Sequence, residues 1–260
     1  MPSDTLLPTA KRRPSYDVTR LHIALHGRPK IGKSSWAADW PSTLFLATER
    51  GLEYLEVAEK PIDSWPHLLS VVDVFGKGGH PYKTLAIDTM DLAVAMARDY
   101  VCEEAGEKYE SDGVLGYGKG VSMVAMNVER LLRKLSMLPY GVILISHTEQ
   151  KTIKRKAGVE IQKAQPTMHD KVLRVLLGWV DMILYMDQDE VVGSDGKLHE
   201  VRVLRTAASP YYEAGDRTKC LPETIVVPET GQYAAFIKAL KGEPPSAVDA
   251  GNGSKTASKE

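Results

Sequence analysis

One short segment constrains the fold of this chain more than any other. The run GRPKIGKS, from Gly27 to Ser34, matches the pattern G-x-x-x-x-G-K-[ST]. It lies between an apolar run, Leu21 to His26, and a helix-compatible run, Lys33 to Trp40. A strand, a glycine-bearing turn and a helix in this order are the context in which such a loop binds phosphates. The motif therefore predicts an α/β fold with a nucleotide site at the turn.

The residues of this P-loop have different roles in binding ATP and Mg²⁺. The glycines let backbone N–H groups curl around the phosphates, Lys33 neutralises the β- and γ-phosphates, and the Ser34 hydroxyl ligates Mg²⁺. The predicted nucleotide-binding residues are Gly27, Arg28, Pro29, Lys30, Ile31, Gly32, Lys33, Ser34 and Ser35. ATP and Mg²⁺ are the cofactors that this set predicts.

Strands and helices alternate along the chain after the loop. Further strands are predicted at Thr43 to Ala47, Lys83 to Ile87, Gly141 to Ser146 and Met182 to Met186, with a hairpin turn at Gly193 to Gly196. Helices are predicted at Ser64 to Phe75, Met90 to Glu104, Val121 to Leu138, Met168 to Trp179 and Gln232 to Leu240. The alternation favours a mainly parallel sheet flanked by helices, with an antiparallel extension towards the C-terminus.

The ends of the chain differ in composition from its centre. Residues 1–20 are expected to be a flexible arm and residues 242–260, rich in Pro, Gly, Ser and Ala, a disordered tail. Residues 21–241 then form the nucleotide-binding domain. No apolar run is long enough to cross a bilayer, so we expect no membrane contact. The two cysteines, Cys102 and Cys220, have no metal-ligand spacing, and we expect reduced thiols in a cytoplasmic protein.

Two aspartates follow the third predicted strand. Asp88 ends the apolar run TLAID, where a carboxylate can orient a metal-bound water, so Ser34 and Asp88 are the predicted metal ligands. Alternatively, Asp88 is the N-cap of the next helix, a position that favours aspartate. Asp91, one turn further on, is expected to be a solvated acid of the first helical turn.

Glu49 directly follows the second predicted strand, TLFLA. Because neighbouring parallel strands end at the same edge of a sheet, its carboxylate could lie within reach of the γ-phosphate. A glutamate there can orient and deprotonate the attacking water. The other interpretation is a surface acid paired with Arg50.

Five segments, taken in order, resemble the RecA-like ATPase core. The narrower resemblance is to phage-encoded, core-only RecA-like proteins that act in single-strand annealing and homologous recombination. The segments are GRPKIGKSS, LFLATERG, LAIDT, ISHTEQK and EAGDRTKCLPE, and the resemblance covers about Leu21 to Leu240. It implies a RecA-like P-loop NTPase core that hydrolyses ATP and binds single-stranded DNA.

The resemblance also implies roles for residues that follow or end the predicted strands. Glu49 would be the catalytic glutamate that activates water, and Ser146-His147 would occupy the position of the γ-phosphate sensor, where RecA itself carries a glutamine. From the chain alone, His147 at the end of a buried strand is either a sensor or a structural histidine.

RecA-like proteins bind DNA through two loops, which here would be Glu107 to Lys119 and Glu149 to Thr167. The net charge of the chain is −1, so any DNA-binding surface must be local; the second loop has five cations and two acids, a local charge of +3. We expect this loop to be mobile and to neutralise DNA phosphates. Its predicted DNA-binding residues are Lys151, Lys154, Arg155, Lys156 and Lys163, and in the first loop Tyr109 and Tyr117 could stack on bases. A solvated basic loop and a glycine-rich connector are the alternative interpretations.

A late basic pair bears on assembly. Arg217 and Lys219, in AGDRTK, resemble the pair that some RecA-like ATPases insert into the ATP site of a neighbouring subunit. Such a catalytic finger acts only when subunits stack, so it predicts a homo-oligomeric ring or filament. Surface cations near a turn are the alternative. The tail could contact a single-strand binding protein.

Two other functions fit a P-loop. One is a small-molecule kinase, with residues 151–163 as a lid over ATP, although the sequence shows no acceptor pocket. The other is a regulatory RecA-like ATPase with a protein partner. Stimulation of ATP turnover by single-stranded DNA separates the recombination function from both.

Overall fold

A computed structural model describes residues 17–155, 158–192 and 196–243 of the 260-residue chain. Most of the predicted N-terminal arm, nearly all of the predicted tail, Lys156 and the turn residues 193–195 lie outside this part. The strands are β1 (His22–Gly27), β2 (Thr43–Ala47), β3 (Ala58–Pro61), β4 (Thr84–Asp88), β5 (Gly141–Lys154), β6 (Glu160–Pro166), β7 (Met182–Val192), β8 (Leu198–Arg205), β9 (Gly215–Asp216) and β10 (Thr224–Val227). The α-helices are α1 (Lys33–Ala38), α2 (Trp65–Gly76), α3 (Met90–Ala105), α4 (Lys119–Ser136), α5 (Asp170–Trp179) and α6 (Gln232–Leu240).

The strands form one sheet in the order β10-β8-β7-β1-β5-β4-β2-β3. The six strands from β7 to β3 in this order are parallel to their neighbours. Strands β8 and β10 extend the β7 side in antiparallel orientation, and β9 pairs with the start of β7. The predicted α/β class, with a mainly parallel sheet and an antiparallel C-terminal part, is confirmed.

The central strands β1 and β4 and the inner half of β5 are mostly buried and apolar, as expected of strands covered on both faces of a sheet. Helices α2 to α5 pack on one face, where Leu85, Ile87 and Leu144 contribute to the core. On the other face, Trp36 of α1 and Phe236 of α6 pack over the sheet at a ring separation of 5.5 Å. This packing holds the P-loop at the carboxyl end of β1.

The polar stretch after residue 148 is a β-hairpin. Strand β5 continues beyond the sheet to Lys154 and pairs with β6 in antiparallel register, Thr148 opposite Pro166 and Lys154 opposite Glu160. The prediction of a mobile loop at Glu149 to Thr167 is therefore wrong. The apolar run ends at Ser146, but the backbone of β5 finds a second partner in β6 once it leaves the sheet.

The other predicted elements agree closely with the structure. Helix α6 has the predicted bounds and α3 begins at the predicted residue, whereas the edge strand β3 was not predicted because its sequence, AEKP, has no apolar pattern. The predicted hairpin near residue 195 is present as the β7–β8 pair, in register up to Val192 and Leu198. Within the described ranges, no helix is both long and apolar enough to cross a bilayer.

Candidate nucleotide site

The P-loop is shaped by glycines at both ends. A Cβ atom at Gly27 would lie 2.7 Å from the main-chain oxygen of Met186, so only glycine lets β1 pack this closely against β7 at that point. Gly32, just before α1, has φ of 103°, a left-handed conformation that glycine adopts without strain. The two fixed glycines of the motif thus meet backbone requirements of this turn.

Lys33 is held inside the loop that it follows. Its Nζ donates to the main-chain oxygens of Gly27 (2.8 Å) and Arg28 (3.0 Å), and the residue is 6% exposed. Burial lowers the pKa of Lys33, and the nearby carboxylate of Asp88 opposes this shift. The ammonium group therefore lies where a phosphate chain held by the loop would need a cation.

Ser34 and Asp88 face each other across the edge of the sheet. The Ser34 hydroxyl donates to Oδ2 of Asp88 at 2.6 Å, and Asp88 is 5% exposed. Burial raises the pKa of Asp88, while the hydrogen bond from Ser34 lowers it. The N-cap position of α3 belongs to Thr89 rather than Asp88, and no side chain caps that helix end. Asp88 is thus oriented towards the P-loop, not towards α3.

This oxygen pair fits Mg²⁺. Among the residues that the structure describes, no group of three or more His, Cys, Asp or Glu side chains could bind a metal ion by itself. A nucleotide-bound Mg²⁺ needs only one or two protein oxygens, with phosphate and water completing an octahedral shell. Ser34 and Asp88 would hold the ion, which would neutralise charge on the phosphates.

Strand pairing fixes the position of Glu49. Its neighbour Thr48 connects β2 to β4: the Thr48 main-chain N–H donates to the Asp88 carbonyl at 2.8 Å, and the main-chain N–H of Thr89 donates to the Thr48 hydroxyl at 2.7 Å. The side chain of Glu49 is 37% exposed, and partial burial raises its pKa. A carboxylate of raised basicity at this edge can accept a proton from water.

Asp91 is not the solvated acid that the sequence predicted. Its side chain is 12% exposed and accepts two hydrogen bonds from His147, one from the main-chain N–H at 3.1 Å and one from Nδ1 at 2.9 Å. The first turn of α3 faces the end of β5, so a position that looks exposed on an isolated helix is covered. Asp91 is a site residue that sequence reasoning missed.

His147 connects Asp91 to Glu49. With Nδ1 occupied by Asp91, its Nε2 lies 3.9 Å from Oε1 of Glu49. The carboxylates of Asp88, Asp91 and Glu49 all lie close enough to Lys33 to raise its pKa. Because His147 lies between two of these acids, its imidazole is held at the same edge of the sheet. The predicted residues Lys33, Ser34, Glu49, Asp88 and His147 come together in one site.

The predicted DNA-binding cations of the second loop lie on the β5–β6 hairpin, most of them in ion pairs. Lys151 pairs with Asp170 and Lys163 with Glu213, and Nζ of Lys154 lies 3.2 Å from Glu160. The Lys154 side chain is 80% exposed and that of Lys163 only 21%. Arg155 lies at the hairpin end, where its main-chain N–H donates to the main-chain carbonyl of Val159 at 2.9 Å, and Lys156 is outside the described residues.

The two predicted stacking tyrosines lie on the surface. Tyr109 is 55% exposed, with Nζ of Lys108 5.0 Å from its ring centre, and Tyr117 is fully exposed. Both lie in the connection between α3 and α4, which contains only one short 3-10 turn, Gly113–Leu115.

The predicted finger residues lie at the other end of the sheet. Arg217 donates to the Gly178 carbonyl at 3.0 Å and lies 3.5 Å from the Asp181 carboxylate, just before β7. Because β7 runs parallel to β1, this is the amino edge, about 16 Å along the strands from the P-loop. Lys219 lies in the turn that the Asp216 carboxylate organises by accepting from Thr218 and Cys220. Neither cation belongs to the nucleotide site of its own chain.

A phosphate-binding loop at the carboxyl edge of a parallel sheet, with an aspartate of a nearby strand bonded to the loop serine, defines a P-loop ATPase. The chain belongs to the AAA domain family, whose model matches residues 19–218. It is also similar to an uncharacterized protein of Bacillus subtilis strain 168, described as SPbeta prophage-derived, with 26% identity over 174 residues. That alignment covers 65% of this chain and 51% of the prophage protein, so the chain spans about half the length of its relative.

Proposed function

We propose that this P-loop ATPase is a RecA-like, Mg²⁺-dependent enzyme that binds single-stranded DNA and promotes annealing or homologous recombination in a phage context. The order of the motif segments supports the RecA-like function, and the prophage origin of the Bacillus subtilis relative supports the context.

One observation carries the DNA part of the proposal. His147, at the catalytic edge, and Lys151 and Lys154, on the basic hairpin, belong to the same unbroken strand β5. The start of the hairpin is tied to His147 a second time, because the main-chain N–H of Thr167 donates to the His147 carbonyl at 3.0 Å. A ligand that moves the hairpin would therefore act directly on a residue at the phosphate edge.

The ion pairs of the hairpin are compatible with phosphate binding. Exposed pairs such as Lys154 with Glu160 contribute at most about 1 kcal/mol, because solvent screens them. A DNA phosphate can replace the glutamate as the partner of Lys154. Lys163 is less available, since its side chain and that of Glu213 are both mostly buried. We expect the exposed end of the hairpin, with Lys154 and Arg155, to make the main contacts.

The residues of the nucleotide site have separate roles in the proposed hydrolysis. Lys33 and the loop amides bind the phosphates, and Ser34 with Asp88 holds Mg²⁺. Glu49 orients water and accepts its proton. His147, fixed by Asp91, senses whether the γ-phosphate is present and passes this state to the hairpin.

The proposed enzyme acts as an assembly. Arg217 and Lys219 lie too far from the P-loop of their own chain to act there, but at the amino edge they could reach the nucleotide of a stacked neighbour. A ring or filament of identical subunits in the bacterial cytoplasm is the corresponding state, with the tail as a contact for a single-strand binding protein.

Titration of the ATPase rate with single-stranded DNA, at two salt concentrations and with or without Mg²⁺, tests this function. We expect DNA to stimulate turnover, higher salt to weaken the stimulation, and chelation to abolish turnover. Lys33→Ala should remove turnover while the protein stays folded. If DNA leaves the rate unchanged, the recombination function is wrong, and the two alternatives, a regulatory ATPase and a small-molecule kinase, remain.

A charge-reversal pair tests the hairpin. Lys154→Glu with Arg155→Glu should abolish DNA retention and DNA stimulation but leave the basal ATPase rate intact. Lys60→Glu with Arg133→Glu is the matched control. It changes the net charge by the same amount as the hairpin variant, but at exposed positions on β3 and α4. Equal loss of DNA retention in both double variants would show that the hairpin is not the DNA site.

A further inference from the structure

Arg202 of β8 lies directly on the P-loop. If Gly32 carried a Cβ atom, that atom would overlap Nη1 of Arg202 and lie 3.5 Å from its Cζ and 3.9 Å from its Cδ. The guanidinium and part of the stem are thus stacked along the last residue of the loop before Lys33. The motif contains no sign of this contact, because β8 belongs to the antiparallel part of the sheet.

The guanidinium of Arg202 lacks an anionic partner among the described residues. Its recorded hydrogen bond is a long one, from Nη2 to the Pro228 carbonyl at 3.5 Å, and the residue is partly buried. Arg205, three positions further along β8, is different: its Nη2 lies 2.9 Å from the Asp189 carboxylate, and its Nη1 donates to Thr224 at 3.2 Å. The contrast within one strand shows that β8 pairs one arginine internally and leaves the other at the loop.

A partly buried guanidinium with unused donors is a favourable site for an anion, because the anion can accept several of its hydrogen bonds. The planar fork of arginine matches phosphate oxygens, which it can bind through two parallel hydrogen bonds. The anion expected beside Gly32 is the polyphosphate chain of the nucleotide that the P-loop binds.

We propose that Arg202 is a nucleotide-binding residue that donates hydrogen bonds to the phosphate chain of ATP or ADP. It is a second cation besides Lys33, supplied by the antiparallel end of the sheet. Because β8 carries Arg202 and also pairs with β10, Arg202 would couple the antiparallel end of the sheet to nucleotide binding. This inference depends on nucleotide binding at the loop but not on DNA binding.

The test is direct binding of a fluorescent ATP analogue, with competition by ADP and by inorganic tripolyphosphate. Arg202→Gln should lower the affinity for the nucleotides and for tripolyphosphate alike, by about tenfold. Arg202→Lys should lose less affinity because the positive charge remains. Arg205→Gln is the matched control on the same strand and should change affinity less than about twofold. Thermal melting of each variant without nucleotide checks that the fold is intact.

The outcomes separate this inference from the proposed function. Weaker nucleotide binding with unchanged tripolyphosphate competition would mean that Arg202 contacts the base or ribose, and the phosphate assignment would be overturned. Wild-type affinity in a folded Arg202→Gln variant would also overturn it, leaving the ATPase function standing. If the wild-type protein binds neither the nucleotides nor tripolyphosphate, the proposed ATPase function is contradicted instead.

Discussion

The Asp91 carboxylate holds His147 at two points, the main-chain N–H and Nδ1, at 3.1 and 2.9 Å. The first bond fixes the backbone of β5 where it leaves the sheet, and the second fixes the plane of the imidazole. Because a carboxylate only accepts, Nδ1 carries the proton, and Nε2 is the atom left to face Glu49 and the phosphate edge. Helix α3 therefore determines how the proposed sensor is oriented.

Replacing Asp91 should slow turnover without weakening nucleotide binding. Asp91→Ala leaves His147 free to rotate, and we expect kcat to fall by about tenfold while the Kd for ATP stays within about twofold. Steady-state kinetics and a binding titration separate the two effects, and DNA stimulation should fall with kcat. Asp99→Ala, an exposed acid on the same helix, is the control. Equal losses in both variants would indicate a general effect on α3.

Removing the carboxylate of Glu49 should block hydrolysis and preserve binding. Glu49→Gln keeps the size of the side chain but cannot accept the proton of water, so kcat should fall by at least about 100-fold. The pH dependence of the wild-type rate gives an independent check. Burial raises the pKa of Glu49, so the rate should decline on acidification at a higher pH than an ordinary glutamate would give. A full rate in Glu49→Gln would exclude Glu49 as the base.

Mixing two inactive variants tests whether Arg217 acts between subunits. Arg217→Ala would supply an intact P-loop and Lys33→Ala an intact Arg217, so a mixed assembly regains some complete sites. Random mixing of equal amounts should restore about a quarter of the wild-type rate. The control mixture, Lys33→Ala with Glu49→Gln, cannot gain in this way because both changes lie in one chain's own site. No recovery from the first mixture would contradict the finger.

The sequence predicted most of the fold because its signals are local. The P-loop, the buried strands and the helices each follow from motif or period over a few residues, and Asp88 and Glu49 follow from the rule that parallel strands end at one edge. The outer half of β5 was not predicted, because it contains Glu, Gln and Lys and has no apolar pattern. It is a strand only because β6 pairs with it. Asp91 and Arg202 likewise depend on contacts between distant segments, so no local pattern reveals them.

Acid should destabilise the fold through His26, which is fully buried on β1. Its Nε2 lies 2.7 Å from the Glu213 carbonyl, which can only accept, so Nδ1 accepts from the Thr148 hydroxyl at 2.9 Å. Burial lowers the pKa of His26 to about 4, against about 6.5 in an unfolded chain. Between these values the unfolded chain binds a proton that the folded chain does not, so stability falls as the pH drops through this window.

The size of this acid effect follows from the two pKa values. Above about pH 6.5 both states are neutral at His26, and by about pH 5 the folded protein should have lost about 2 kcal/mol of stability from this residue. Urea unfolding at about pH 7.5 and about pH 5 measures the loss. In His26→Gln, whose amide can still donate to the Glu213 carbonyl, the drop should be smaller by that amount. An unchanged drop in His26→Gln would show that His26 is protonated in the folded protein or that another group controls its acid sensitivity.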